Sequence, residues 1–132
     1  MSKYSELTYF LYRLNDNIGE WKFDNTHKGT QEDPIHIPFP IYSETVLEFV
    51  HAVYDYNSNH PECEMKKYPE ILDEREIKNI FAADIDSLDE KGALALLMCI
   101  VDKERFCDGL IYNNLKEGRI QALLERLKEL DN

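Results

Sequence analysis

Ser87-Leu88-Asp89-Glu90-Lys91-Gly92-Ala93-Leu94-Ala95-Leu96-Leu97-Met98-Cys99-Ile100-Val101-Asp102-Lys103-Glu104 decides the fold. Ser87 and Glu90 stand at capping-box spacing, in which the hydroxyl covers the amide of residue 90 and the Glu90 carboxylate reaches back. Behind them, Ala93 to Val101 runs without one polar side chain. A helix that is apolar on every side must be surrounded by protein, and this run is about half of a membrane span. The stretch therefore predicts a buried central helix over about 88–104. Leu94, Leu97, Met98 and Val101 should lie in the core, and the helix should emerge at Asp102-Lys103-Glu104.

Other helices flank this spine. Downstream, a short helix ends at Gly118, and Ile120, Leu123, Leu124, Leu127 and Leu130 then recur at helical spacing. Upstream, Tyr4, Leu7, Leu11 and Leu14 form the stripe of a first helix, stopped by Asn15-Asp16-Asn17. Ser43 suits the cap of a helix reaching about Tyr56, with Val46, Leu47, Val50, Val53 and Tyr54 as its inner face. Asn57 to Pro61 reads as a turn. Pro69 suits the first turn of a short helix carrying Ile71 and Leu72, and Ile77, Ile80 and Phe81 follow.

The region 18–41 behaves differently. Gly19, Gly29, Pro34, Pro38 and Pro40 forbid a long helix, and proline at alternate places removes the donors a central strand needs. It reads as an extended arm laid across the helices, with a short hairpin near Trp21-Lys22-Phe23 as a further option. The expected architecture is mainly α: five or six helices around 88–104 in a single domain of residues 1–132, with at most a minor two-stranded element.

The 132-residue chain carries 26 acidic and 15 basic side chains, a net charge of −11. The whole excess lies in residues 1–90, densest from Glu70 to Glu90, where eight acids face only Arg75 and Lys78. Such a surface repels phosphate backbones, so direct nucleic-acid binding and attachment to anionic membranes are not expected. A basic protein is the partner it would suit, although solubility alone also explains it. Cys63, Cys99 and Cys107 show no framework spacing and no signal-peptide core precedes them, so a cytoplasmic setting with reduced thiols is expected.

The segment Glu104-Arg105-Phe106-Cys107-Asp108-Gly109 leaves one helix and enters the next within six residues. As a corner, Arg105 complements the dipole at the end of the spine, Phe106 plugs the turn, and Asp108 caps the helix that follows. As a site, the same turn aims helix-end amides toward Arg105, an arrangement suited to an anionic group. Trp21 and Tyr42, held in the arm, are candidate walls, with Glu104 and Asp108 as orienting carboxylates. Cys107 is a weak nucleophile candidate. His60 with Cys63, and His51 with Asp55, lack the second ligand pair a zinc site requires, so no metal and no cofactor are expected. Paired carboxylates are plentiful in so acidic a chain and point to no catalytic residue.

The chain resembles a family of small uncharacterised bacterial proteins, common in Firmicutes, known only as a domain of unknown function. The resemblance rests on Gly19-Glu20-Trp21, Pro34-Ile35, Pro38, Tyr42-Ser43 and Ala83 to Leu88. It is strongest from Glu104 through Gly118 to Leu124-Glu125-Arg126-Leu127, with an Arg-Phe-Cys-Asp/Glu-Gly core. It implies a fold and a candidate site but no reaction. Three functions follow. The first is a non-catalytic binding module holding a small anionic or nucleotide-like ligand, or a peptide, at the Glu104–Gly109 corner. The second is an acidic interaction module or inhibitor, a nucleic-acid mimic included, that uses Glu70–Glu90. The third and weakest is an unrecognised enzyme using Cys107, or Glu104 with Asp108.

Overall fold

The spine forms as its composition requires. In the computed structural model, which describes residues 3–14, 18–22 and 39–131 (only the backbone at 21, 22 and 39), helix α4 spans Glu90–Lys103. Every residue from Gly92 to Asp102 is buried, and Leu94, Leu97, Met98 and Val101 are each at most 2% exposed. The helix stays buried one residue longer than its apolar run, through Asp102, and reaches solvent at Lys103.

Around α4 pack α2 (Glu44–Asn59), α3 (Tyr68–Glu74), α5 (Leu110–Lys116) and α6 (Arg119–Leu130), while α1 (Ser5–Thr8) sits against α2 and α6. The fold is mainly α, as expected, with six α-helices among the described residues. Its one sheet there is a two-stranded antiparallel pair, β1 (Gly19–Lys22) with β2 (Phe39–Tyr42). Pro40 faces Trp21 in that ladder, which a proline tolerates because a two-stranded ribbon has only edges. Asn15 to Asn17 and residues 23–38 lie outside the described residues, and with them most of the arm.

At three places the local structure departs from the sequence pattern. The first helix is a single α-turn followed by further turns to Leu14, yet Tyr4, Leu7, Leu11 and Leu14 are buried as a stripe, joined by Phe10. On α2, Ser43 does cap, accepting from the Val46 amide at 3.3 Å. However, its core face is Val46, Phe49, Val53 and Tyr56; Leu47 is 49% exposed, and Val50 and Tyr54 are half-buried. The stripe is rotated because the aromatic rings of Phe49 and Tyr56 fill the space beside Phe10 and Tyr4, at 5.5 and 6.1 Å between centroids.

The entrance to α4 also departs from the sequence motif. Its cap is Asp89, whose carboxylate accepts from the Gly92 amide at 3.0 Å, while the Ser87 hydroxyl donates to the Asp84 carbonyl and closes a 3₁₀ turn at Ile85–Ser87. The helix begins at Glu90, so Glu90 is its first residue and not its third. Arg75 fixes the choice by pairing with both oxygens of Asp89, at 2.8 and 2.7 Å. Gly92 makes room: a Cβ there would lie 2.7 Å from the Asp89 oxygen and 3.0 Å from Arg75.

Asp89→Ala should therefore cost about 1–2 kcal/mol of stability and Ser87→Ala only a few tenths, a ranking that denaturant midpoints would read directly. The hydrogen bond from Arg75 holds the Asp89 carboxyl at about 2, against an ordinary 3.8. A carboxyl depressed on folding stabilises above its unfolded value, so this contribution should be present above about pH 4 and fade as pH falls towards 2. Asp89→Asn should remove that limb.

Candidate functional site

The Glu104–Gly109 corner is built by two carboxylates that face inward. Glu104, half-buried, gathers three donors: its Oε1 accepts the Tyr42 hydroxyl at 2.8 Å and the Ile111 amide at 2.7 Å, and its Oε2 accepts the Gly109 amide at 2.8 Å. The Tyr112 amide donates to the Tyr42 oxygen at 3.1 Å, so two side chains cover the start of α5. Burial and the bond to Glu104 push the Tyr42 hydroxyl pKa well above the ordinary tyrosine range, which keeps it a donor. Asp108 is exposed, and α5 starts behind Gly109 at φ 90° with no cap from its own neighbour. The cap comes from Glu104, five residues upstream, and not from Asp108: a left-handed glycine turns the chain back over the end of α4.

Arg105 points the other way. Its Nε donates to the Asp102 carbonyl at 3.3 Å and its Nη2 lies 3.2 Å from the Asp102 carboxylate. Asp102 is 6% exposed, and it also accepts the hydroxyls of Tyr54 at 3.2 Å and Tyr68 at 2.9 Å. Lys66 approaches the same carboxylate at 3.9 Å. The structure thus joins Tyr42 with Glu104, and Arg105 with Asp102; Trp21 shares the β1–β2 ladder two places from Tyr42, but its side chain lies outside the described residues. Phe106 does not plug the turn. It is 81% exposed, and Arg105, Cys107 and Asp108 are exposed beside it.

Sequence reasoning missed Asp102 and its ring of tyrosines. One signal was available, an acid ending an apolar run, but Tyr54, Lys66 and Tyr68 come from other elements and no spacing announces them.

The acidic stretch forms a second feature. Helix α3 ends in a Schellman turn: the Glu76 amide donates to the Asp73 carbonyl at 3.0 Å and the Ile77 amide to the Leu72 carbonyl at 2.9 Å, with Glu76 left-handed at φ 58°. Beyond this reversal Ile77, Ile80 and Ala83 pack back against the core, and the segment leaves a groove of about 830 Å³ against Leu88 and Asp89. Glu74, Glu76, Asp84 and Asp89 line it against the cations Arg75 and Lys78, together with the apolar Ile77, Ala83 and Leu88. Three smaller concavities, like the groove, are lined by residues other than Arg105, Asp108, Glu104 and Tyr42. No group of three metal-ligating side chains occurs among the described residues, and no helix there is long and apolar enough to cross a membrane.

Residues 2–132 match DUF6508, a family of unknown function. The chain belongs to that family. No curated protein and no solved structure matches it. Because the DUF6508 match runs through the arm, the acidic groove and the corner alike, it favours neither candidate region over the other. The family description carries no reaction.

Proposed function

We propose that the chain is a non-catalytic binding module whose acidic face, Glu70–Glu90, receives a basic segment of a partner protein. One observation carries this reading: half of the acids of that face, Glu74, Glu76, Asp84 and Asp89, line a groove. An excess of acids on a convex surface chiefly keeps a protein soluble, but here four carboxylates against two cations, Arg75 and Lys78, line a groove that also offers apolar walls. A lysine or arginine can lay its methylenes along such walls while its head group reaches the carboxylates. Arg75 already holds both oxygens of Asp89, so Glu76 and Asp84 are the acids on which a partner's cation would draw. A small anion at the corner is less well served, since Glu104 takes the Gly109 and Ile111 amides and Arg105 is turned to Asp102. A bacterial cytoplasm is the setting we assign, which three free cysteines suit.

A labelled hexapeptide of alternating lysine and phenylalanine tests the reading by fluorescence anisotropy. Binding to the intact chain is expected near 0.1 mM, on the order of −5 kcal/mol. Glu76→Lys with Asp84→Lys should weaken it about tenfold or more. Glu48→Lys with Asp55→Lys, an equal charge change on the exposed side of α2, should weaken it no more than about twofold. Equal losses in the two double variants would mean that net charge alone attracts the peptide, and the groove would not be the site.

A further inference from the structure

We infer that residues 75–89 form one hinged loop that opens and closes as a unit over an intact helical core, and that the groove exists only while this loop is closed, an inference that deepens the groove reading and rests on it only for what enters. Every residue lining the groove lies between Glu74 and Asp89. The concavity is therefore the inner side of a single loop and not a cleft between helices. The ends of that loop are joined, because Arg75 pairs with both oxygens of Asp89, at 2.8 and 2.7 Å. Its length and its closed neck are those of an Ω-loop, a kind of surface segment that is frequently functional.

The bonds that hold the loop are placed for such a motion. At its entrance the Ile77 amide donates to the Leu72 carbonyl at 2.9 Å, and at its exit Arg126 of α6 donates to the Leu88 carbonyl at 2.8 Å. Between these anchors the backbone bonds are local: Ala82 to Asn79 at 3.0 Å, Ser87 to Asp84 at 3.2 Å and Leu88 to Ile85 at 3.1 Å. The loop can thus leave the core without breaking a helix. Side chains hold its middle. Ile77, Ile80, Ala83 and Ile85 pack on the core only half-buried, whereas Leu72 and Leu88 at the two ends are buried. Arg119 of α6 covers the Phe81 ring at 4.6 Å from its centroid, and is itself held by Glu117 and by the buried Asn114. The hinge is Glu76, left-handed at φ 58°. A residue with a Cβ is strained in that conformation, so opening relieves a cost that the closed state bears. Half-buried packing between two fixed ends is what lets a segment open below the free energy of global unfolding.

Native-state hydrogen exchange of the intact chain, read at the Ile77, Ala82 and Leu88 amides, tests the inference. The three should share one opening constant with a shallow dependence on denaturant, because little surface is exposed, while Leu96 and Leu97 in α4 follow the steep global slope. Phe81→Ala and Arg75→Gln, which loosen the outer contact and the neck, should each speed all three amides by one common factor of about two to five. Glu76→Gly, which relieves the left-handed strain, should slow all three about fivefold. The lysine–phenylalanine peptide at about 1 mM should slow the same amides of the unaltered chain about tenfold, as expected for a dissociation constant near 0.1 mM. Amides that respond to the substitutions one at a time, or that follow the global slope, overturn the loop as a unit. A peptide that binds without slowing them overturns the dependence of the groove on closure and leaves the groove reading standing. A peptide that fails to bind while the three amides still move together removes the groove reading and leaves the opening unit in place.

Discussion

Leu97→Ala is expected to lower the unfolding free energy by about 2–5 kcal/mol. Leu97 is fully buried at the middle of α4, and its neighbours along that helix are no more exposed. Deleting its side-chain carbons loses their transfer free energy and leaves a cavity whose walls are helices packed on several sides, which limits collapse into the space. Alanine favours the helix, so backbone propensity would offset only a few tenths of this loss. Chemical denaturation would read the change as a lower midpoint at constant slope. A loss below about 0.5 kcal/mol would mean that α4 is not the spine of the core.

Glu104→Ala is the second large effect, at about 2–4 kcal/mol, because one carboxylate serves three donors and hydrogen bonds to charged groups contribute more than neutral ones. The Gly109 and Ile111 amides sit in buried residues, so water replaces the lost acceptor poorly. Tyr42 would lose its acceptor as well, and with it the link between β2 and the corner. Glu104→Gln should fall between the two, since its amide keeps one acceptor oxygen for Tyr42 and Ile111 but turns a donor toward the Gly109 amide. Amide hydrogen exchange at Gly109 and Ile111 separates this local effect from global unfolding. Faster exchange at those two positions, beyond that of α4, is the expected pattern, and unchanged protection in the alanine variant would remove Glu104 as the cap.

The contrast between Asp102 and Glu104, on the one hand, and Arg105 and Asp108, on the other, shows how far residue types alone reach. Arg105 and Asp108 drew attention because an arginine and an acid near helix ends have familiar uses. Tertiary structure gave the capping to Glu104, since the left-handed turn at Gly109 brings the start of α5 back over the end of α4. It gave the buried charge to Asp102, whose partners Tyr54 and Tyr68 arrive from α2 and α3. The cap of α4 moved from Ser87 to Asp89 for a similar reason. A residue fourteen positions away, Arg75, holds that carboxylate, and a local motif cannot weigh such a partner.

What the sequence determined by itself is the set of constraints that act over a turn or two of chain. An unbroken apolar run from Ala93 to Val101 has to be inside, and Ile120, Leu123, Leu124 and Leu127 at helical spacing have to face it. Only the tertiary structure decided which way α2 turns its aromatic side chains, which carboxylates face inward, and that Glu74, Glu76, Asp84 and Asp89 line a groove. The physical reason is range. Periodicity and propensity are set between residues a few positions apart, whereas the partner of a buried charge, the filling of a core gap and the shape of a surface are set by whatever the fold brings alongside.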